Sequence, residues 1–166
     1  MTKNQTLPIF IRKNLSDITE EWREFAATIA HEDVTDLQLR DHIHQILFFI
    51  ADDIETSQSS YQQIRKSHGK SDDKKPSPGA IHGSLRYDIG FNMVEMVSEY
   101  RALRATVTKL WTKSRIVLTD SDVLDLIRFN EAIDQLLAQS IERFTERIES
   151  KVAKLKAKTK EKSKVA

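Results

Sequence analysis

Six side chains able to do chemistry fall within one short stretch, HGSLRYDIGFNMVEMVSEYRALRATVTKLW: His82, Arg86, Glu99, Tyr100, Arg101 and Arg104. His82 and Arg86 are four residues apart and so share a helix face. Together with Glu99, Tyr100 and Arg104 they could line an internal pocket for a small ligand or an anion. A buried network would use the same residues. Charges withdrawn from water must be paired, and this set contains both signs. The network, holding one helix against the next, is the stronger expectation, and the ligand pocket stands as its alternative.

Other combinations offer less. Glu20–Glu21, Asp52–Asp53 and Asp72–Asp73 are neighbours in sequence; adjacent helical positions diverge, so none is a prepared acid–base pair. His42 and His44, two apart, point to different sides of a helix and cannot hold one metal ion together. His31 and His68 sit in connections, which leaves His82 as the best placed axial ligand for a haem, an unfavoured reading with no second feature behind it. No metal or other cofactor is expected. The chain has no cysteine, hence no disulfide, thiolate metal site or cysteine nucleophile. Nucleotide-binding and hydrolase motifs are missing too. The expectation is a protein that is not an enzyme.

The elements that must position these residues are helical. With 31% charged residues, four glycines and three prolines in 166 residues, the composition fits one all-α domain. Ile11, Leu15, Ile18, Trp22, Phe25, Ala26 and Ile29 step by three and four, which predicts a helix over 8–30 with a break near Ser16–Asp17. Leu39, Ile43, Ile46, Leu47, Ile50 and Ile54 predict a second over 36–56, capped by Asp36. A weaker helix is expected over 57–67 with Tyr61 and Ile64 inward. The polar segment 67–79 reads as a loop. Further helices are expected over 79–88 and 90–114, with Gly90 a weak point between them. A last helix starts near Ser121 and continues past Leu155, about six helices in all.

That last helix changes along its length. Val123, Leu124, Ile127, Ala132, Ile133, Leu136 and Leu137 make a broad face suited to a core. Beyond them the stripe narrows to Ile141, Phe144, Ile148, Val152 and Leu155, the spacing of a coiled-coil seam, which predicts a homodimer. Residues 151–166 carry seven lysines against Glu161 alone, a net +6 on a body of net −5. Such a tail could meet nucleic acid or an anionic membrane surface. It lacks aromatics for base stacking, so a solvated helix end is the stronger reading. The longest apolar run, Ile46–Ala51, is too short to cross a bilayer, and the N-terminal residues do not read as a signal peptide. A cytoplasmic location is expected, with a helical domain over 1–150 and a basic tail over 151–166.

The spacing HxxxRxxxGF (His82, Arg86, Gly90, Phe91), followed by EYRALR (Glu99–Arg104) and Trp111, resembles the N-terminal sensor domain of RsbRD-type stressosome proteins, which also precedes some bacterial sensor histidine kinases. EEWREFA (Glu20–Ala26), LRDHI (Leu39–Ile43) and RFNEAIDQLLAQSIERF (Arg128–Phe144) extend the resemblance over residues 8–150. It implies a bacterial stress-response signalling module, a globin-like helical arrangement without haem, and a regulator such as a kinase or anti-sigma system as partner. No histidine follows His82, and the family's effector is not expected in this segment, which reads as a free-standing input module or a piece of a longer protein. A small-molecule binding protein with its pocket near His82 and Arg86, and a ligand-free scaffold for another regulator, are the alternative readings.

Overall fold

The computed structural model describes residues 5–32, 34–40, 42–56, 59–67 and 75–165. Among them are eight helices and no strand: α1 Leu7–Lys13, α2 Leu15–Ile29, α3 Asp36–Arg40, α4 Ile43–Glu55, α5 Ser60–Ser67, α6 Pro78–Asp88, α7 Met93–Lys113 and α8 Asp120–Val165. The first four arise from two expected helices, each broken once. Over 8–30 the break is at Asn14, two residues before the expected one. Its side-chain amide donates to the Phe10 carbonyl at 2.8 Å, serving the end of α1. Over 36–56 the break falls before α4, where His42 adopts a left-handed conformation with φ 67°. α3 therefore ends as a separate one-turn helix. Thr35 and Gln38 cap its start reciprocally, a role expected of Asp36.

The main core joins five helices. Leu7, Phe10 and Ile11 of α1, Ile18 and Trp22 of α2, and Ile43, Ile46, Leu47, Ile50 and Ile54 of α4 pack with Tyr100, Leu103, Val107 and Trp111 of α7 and Phe129, Ala132, Ile133 and Leu136 of α8. A smaller cluster of Ala26, Leu39 and Phe91 closes the end where α3 meets the α6–α7 junction. Two apolar expectations fail. Tyr61 and Ile64 of α5 are exposed, as are Val123, Leu124 and Ile127 in the first turns of α8. Helical periodicity defines a face without defining whether a neighbour covers it. The core side of α8 is instead the face of Asp122, Phe129, Ala132, Ile133 and Leu136. The loop expected over 67–79 lies largely outside the described residues.

α6 makes the closest contact in the bundle. A Cβ built on Gly79 would stand 2.4 Å from the Leu136 carbonyl oxygen, and one on Gly83 2.3 Å from that of Ser140. The two glycines, one turn apart, let the backbones of α6 and α8 touch. α6 then ends as a hydrogen-bonded cap: Gly90, at φ 87°, donates to the Tyr87 carbonyl and Phe91 to the Arg86 carbonyl. This tight reversal turns the chain into α7, which Asn92 and Glu95 open with a capping box.

α8 spans 46 residues, a rod of about 69 Å. Its first half is part of the bundle; its second half runs beyond the other helices, and residues 149–161 are all exposed.

Gly83→Ala tests the α6–α8 contact by its sign. Alanine in place of a helical glycine ordinarily stabilises by about 1 kcal/mol. Here the added methyl meets backbone, and urea unfolding should show a loss of about 1–3 kcal/mol. A more stable variant would contradict the close approach.

Candidate functional site

The buried stripe of α6 is Gly79, His82, Gly83 and Arg86, spaced i, i+3, i+4, i+7 like any core-facing stripe yet containing no aliphatic side chain. The glycines admit α8. The two long polar side chains reach Glu99, one turn before Leu103 on the buried face of α7. Arg86 and Glu99 are each 1% exposed. The Arg86 Nε donates to both Glu99 carboxylate oxygens, at 2.7 and 3.0 Å. Its two terminal nitrogens go elsewhere, donating to the Gln38 and Leu39 carbonyls at 3.0 Å each. These carbonyls belong to the last turn of α3, where the helix offers its carbonyls no N–H donors of its own. Arg86 thus acts as the C-terminal cap of a helix about 47 residues away in sequence. Its guanidinium carbon lies 5.6 Å from the Trp22 ring centre and 5.3 Å from that of Phe91, so aromatic faces cover the charge.

His82 completes the cluster. Its Nε2 is 3.2 Å from Glu99 Oε2, and its ring makes an edge contact with Tyr100 at 5.2 Å. Burial pushes the imidazole below its ordinary range, more than the hydrogen bond and charge of Glu99 raise it. Arg86 already supplies the counter-charge, so a proton on His82 would leave the cluster with an uncompensated positive charge. We therefore assign a neutral ring with the proton on Nε2, pointing at Glu99. Nδ1 is buried and has no hydrogen-bond partner. For Glu99, burial pushes the carboxyl up, but the His82 hydrogen bond and the charge and hydrogen bond of Arg86 outweigh it and hold the group below its ordinary range. The Glu99 backbone carbonyl also accepts from Trp22 Nε1 at 3.1 Å, bringing α2 to the same point.

A second polar chain runs from Tyr100 to α8. Ser140 Oγ donates to the Gly79 carbonyl at 2.6 Å. Its only proton is then in use, so the Tyr100 hydroxyl is the donor in their 2.8 Å contact. Burial raises the Tyr100 phenol and keeps that proton in place. Two cross-links therefore meet at α6: Arg86–Glu99 toward α3 and α7, and Ser140 toward α7 and α8.

Of the six residues singled out in the sequence, His82, Arg86, Glu99 and Tyr100 come together. Arg101 does not; it is exposed on the opposite side of α7. Arg104 is half-buried and pairs with Asp134 of α8, away from the cluster. Each Arg86 nitrogen has a protein acceptor, and the His82 ring is 1% exposed, with Nε2 on Glu99 and Nδ1 buried without a partner. The residues missed were Gln38 and Leu39, whose contribution is a backbone carbonyl and leaves no trace in residue type, and Ser140 with Gly79 and Gly83. The glycines carry a signal of their own, two small residues one turn apart, which apolar periodicity does not register.

A groove of about 550 Å³ lies beside the cluster, between the start of α7 and α8, lined by Tyr87, Asp88, Phe91, Met93, Phe144, Ile148 and Lys151 among others. Phe144, expected in a dimer seam, is 3% exposed and makes an edge contact with Tyr87 at 5.4 Å. Its neighbours along the stripe, Ile141, Ile148, Val152 and Leu155, are 36%, 42%, 42% and 57% exposed.

No family model matches this chain, and neither a curated protein nor a solved structure matches it.

Two outcomes follow for the cluster. Arg86→Met leaves the Glu99 carboxylate buried without its cation and two α3 carbonyls without donors; urea unfolding should show a loss of about 3–5 kcal/mol, and a loss under about 1 kcal/mol would refute the pairing. The pH response has a defined sign. Both His82 and Glu99 have pKa values lowered by folding, so the unfolded chain takes up protons first as pH falls. Stability is full above the ordinary histidine range and declines as pH falls through and below that range, where the unfolded imidazole takes up a proton and buried His82 does not. It declines again below the ordinary carboxylate range through Glu99. The first decline should shrink in His82→Gln; an unchanged profile would contradict a buried neutral imidazole.

Proposed function

We propose that this chain is a non-catalytic bacterial signal-input module that dimerises through α8 and relays a ligand- or partner-induced helix shift along it. The single observation that carries this reading is the double role of α8. Within the bundle it is locked to α6 by backbone contact at Gly79 and Gly83 and by the Ser140 hydrogen bond. Outside the bundle the same helix bears exposed apolar residues at Ile148, Val152 and Leu155. With backbone against backbone at Gly79 and Gly83, movement of α6 becomes movement of the outer half of α8, as translation or rotation of the paired helices. The resemblance to the RsbRD-type sensor domain supports the same reading, because seven of the residues within its segments converge. Trp22, Leu39, His82, Arg86, Phe91, Glu99 and Tyr100 all meet at one cluster. A regulator such as a kinase or an anti-sigma protein in the cytoplasm is the proposed recipient.

One feature favours a second reading, a small-molecule binding protein. The groove between the start of α7 and α8 combines aromatic and aliphatic walls with Asp88 and Lys151, the composition of a ligand site. A ligand there would press on α7 and α8 at once.

Sedimentation equilibrium tests the dimer on which the relay depends. The chain should sediment at about twice its 19.1 kDa, and Ile148→Glu with Leu155→Glu should reduce it to the monomer mass with unchanged helicity. A monomeric parent protein would sink the proposal.

A further inference from the structure

The apolar positions on the outer half of α8 are symmetric about Ile148. Ile141 and Leu155 lie seven residues to either side, and Phe144 and Val152 four. Two such helices laid antiparallel with Ile148 facing Ile148 place the exposed stripe residues Ile141 and Leu155 level with each other, and Val152 level with Phe144, which is itself packed on Tyr87 of its own chain. Two parallel helices would also align the stripe, residue by residue with itself. Charge distinguishes the two arrangements. From Lys151 onward the helix carries seven lysines and one acid. Parallel pairing sets these lysines side by side along the length where no other helix covers them, and like charges held together destabilise. Antiparallel pairing carries each basic segment back over its partner's earlier turns. Lys154 comes level with Glu142, and Arg147 with Glu149. Beyond them the lysines run toward Asp134 and Glu131. All four acids are on exposed positions of α8, within reach of long side chains.

We propose that the second copy of this chain docks antiparallel on α8, with the two-fold axis at Ile148. The inference rests on the dimer reading above and adds its orientation and register. The spacing three, four, four, three averages about 3.5 residues per turn, so the stripe drifts by about 40° across the contact and the two helices wrap gently left-handed around each other. The two bundles lie at opposite ends of a short shared rod. Ile148 also lines the groove at the start of α7. The axis thus brings the grooves of both copies to the centre of the assembly, where a ligand of either would meet the interface.

Disulfide trapping reads the orientation directly, since the chain contains no cysteine. In the antiparallel dimer positions 155 of the two copies are fourteen residues apart along the rod, about 21 Å, far beyond disulfide reach. Ile148→Cys should therefore cross-link to itself under mild oxidation. Leu155→Cys alone should not, and an equimolar mixture of Ile141→Cys and Leu155→Cys should give the mixed disulfide. All three side chains are exposed enough for substitution to leave the bundle intact, which circular dichroism checks. Leu155→Cys linking to itself as readily as Ile148→Cys would overturn the orientation while leaving the dimer standing. An Ile148→Cys protein that sediments as a dimer yet stays unlinked would overturn the register. A monomer would overturn both this inference and the reading beneath it.

Discussion

Arg86 carries its positive charge into a place where water cannot reach it, and the arrangement around it follows from that fact. A guanidinium 1% exposed requires a counter-charge and acceptors for its donors. Glu99 supplies the first. The last turn of α3 supplies acceptors, and can do so because the chain breaks before α4 and leaves the Gln38 and Leu39 carbonyls without helical partners. Trp22 and Phe91 cover its faces. Elements far apart in sequence, α2 and α3 among them, are in this way tied to one side chain. The same pairing accounts for neutral His82, whose proton hydrogen-bonds Glu99 without adding a second charge.

The α6 helix turns this local chemistry into a mechanical linkage. One side of it holds Arg86 and His82 against α7; the adjoining side is bare backbone against α8. Aliphatic residues at positions 79 and 83 would have set α6 and α8 apart with a deformable layer between them. Glycine leaves them in direct contact, with Ser140 bridging to both Gly79 and Tyr100. The cluster is thereby joined through α6 to α8, and α8 extends beyond the bundle. The polar groups of the cluster are turned toward one another, and the outer half of α8 presents an exposed apolar stripe.

Much of the helical plan was legible in the sequence because most helices bury aliphatic residues at regular spacing. α4, α7 and the middle of α8 follow that rule. What periodicity could not supply was the identity of the covering surface, so Tyr61, Ile64, Val123, Leu124 and Ile127 were placed inside when they lie outside. It also could not show the two breaks, which depend on single residues: the Asn14 amide serving a carbonyl, and His42 adopting a left-handed backbone. The cluster was half legible. His82, Arg86, Glu99 and Tyr100 stood out as charged or polar residues among apolar ones. Their partners on α3 act through backbone carbonyls, which no residue type advertises. Arg101 and Arg104 carried the same signal as Arg86 but lie on other faces of α7, since one or two positions along a helix decide between core and solvent.

The central claim is that Arg86 and Glu99 work as one buried unit, and a double-mutant cycle in urea unfolding measures it most directly. If the two are a unit, Glu99→Leu added to Arg86→Met removes the stranded charge and costs little beyond the worse single variant, or recovers part of its loss. The coupling should then exceed about 2 kcal/mol. Losses that simply add would mean that the two side chains stabilise the bundle independently, and would contradict the account.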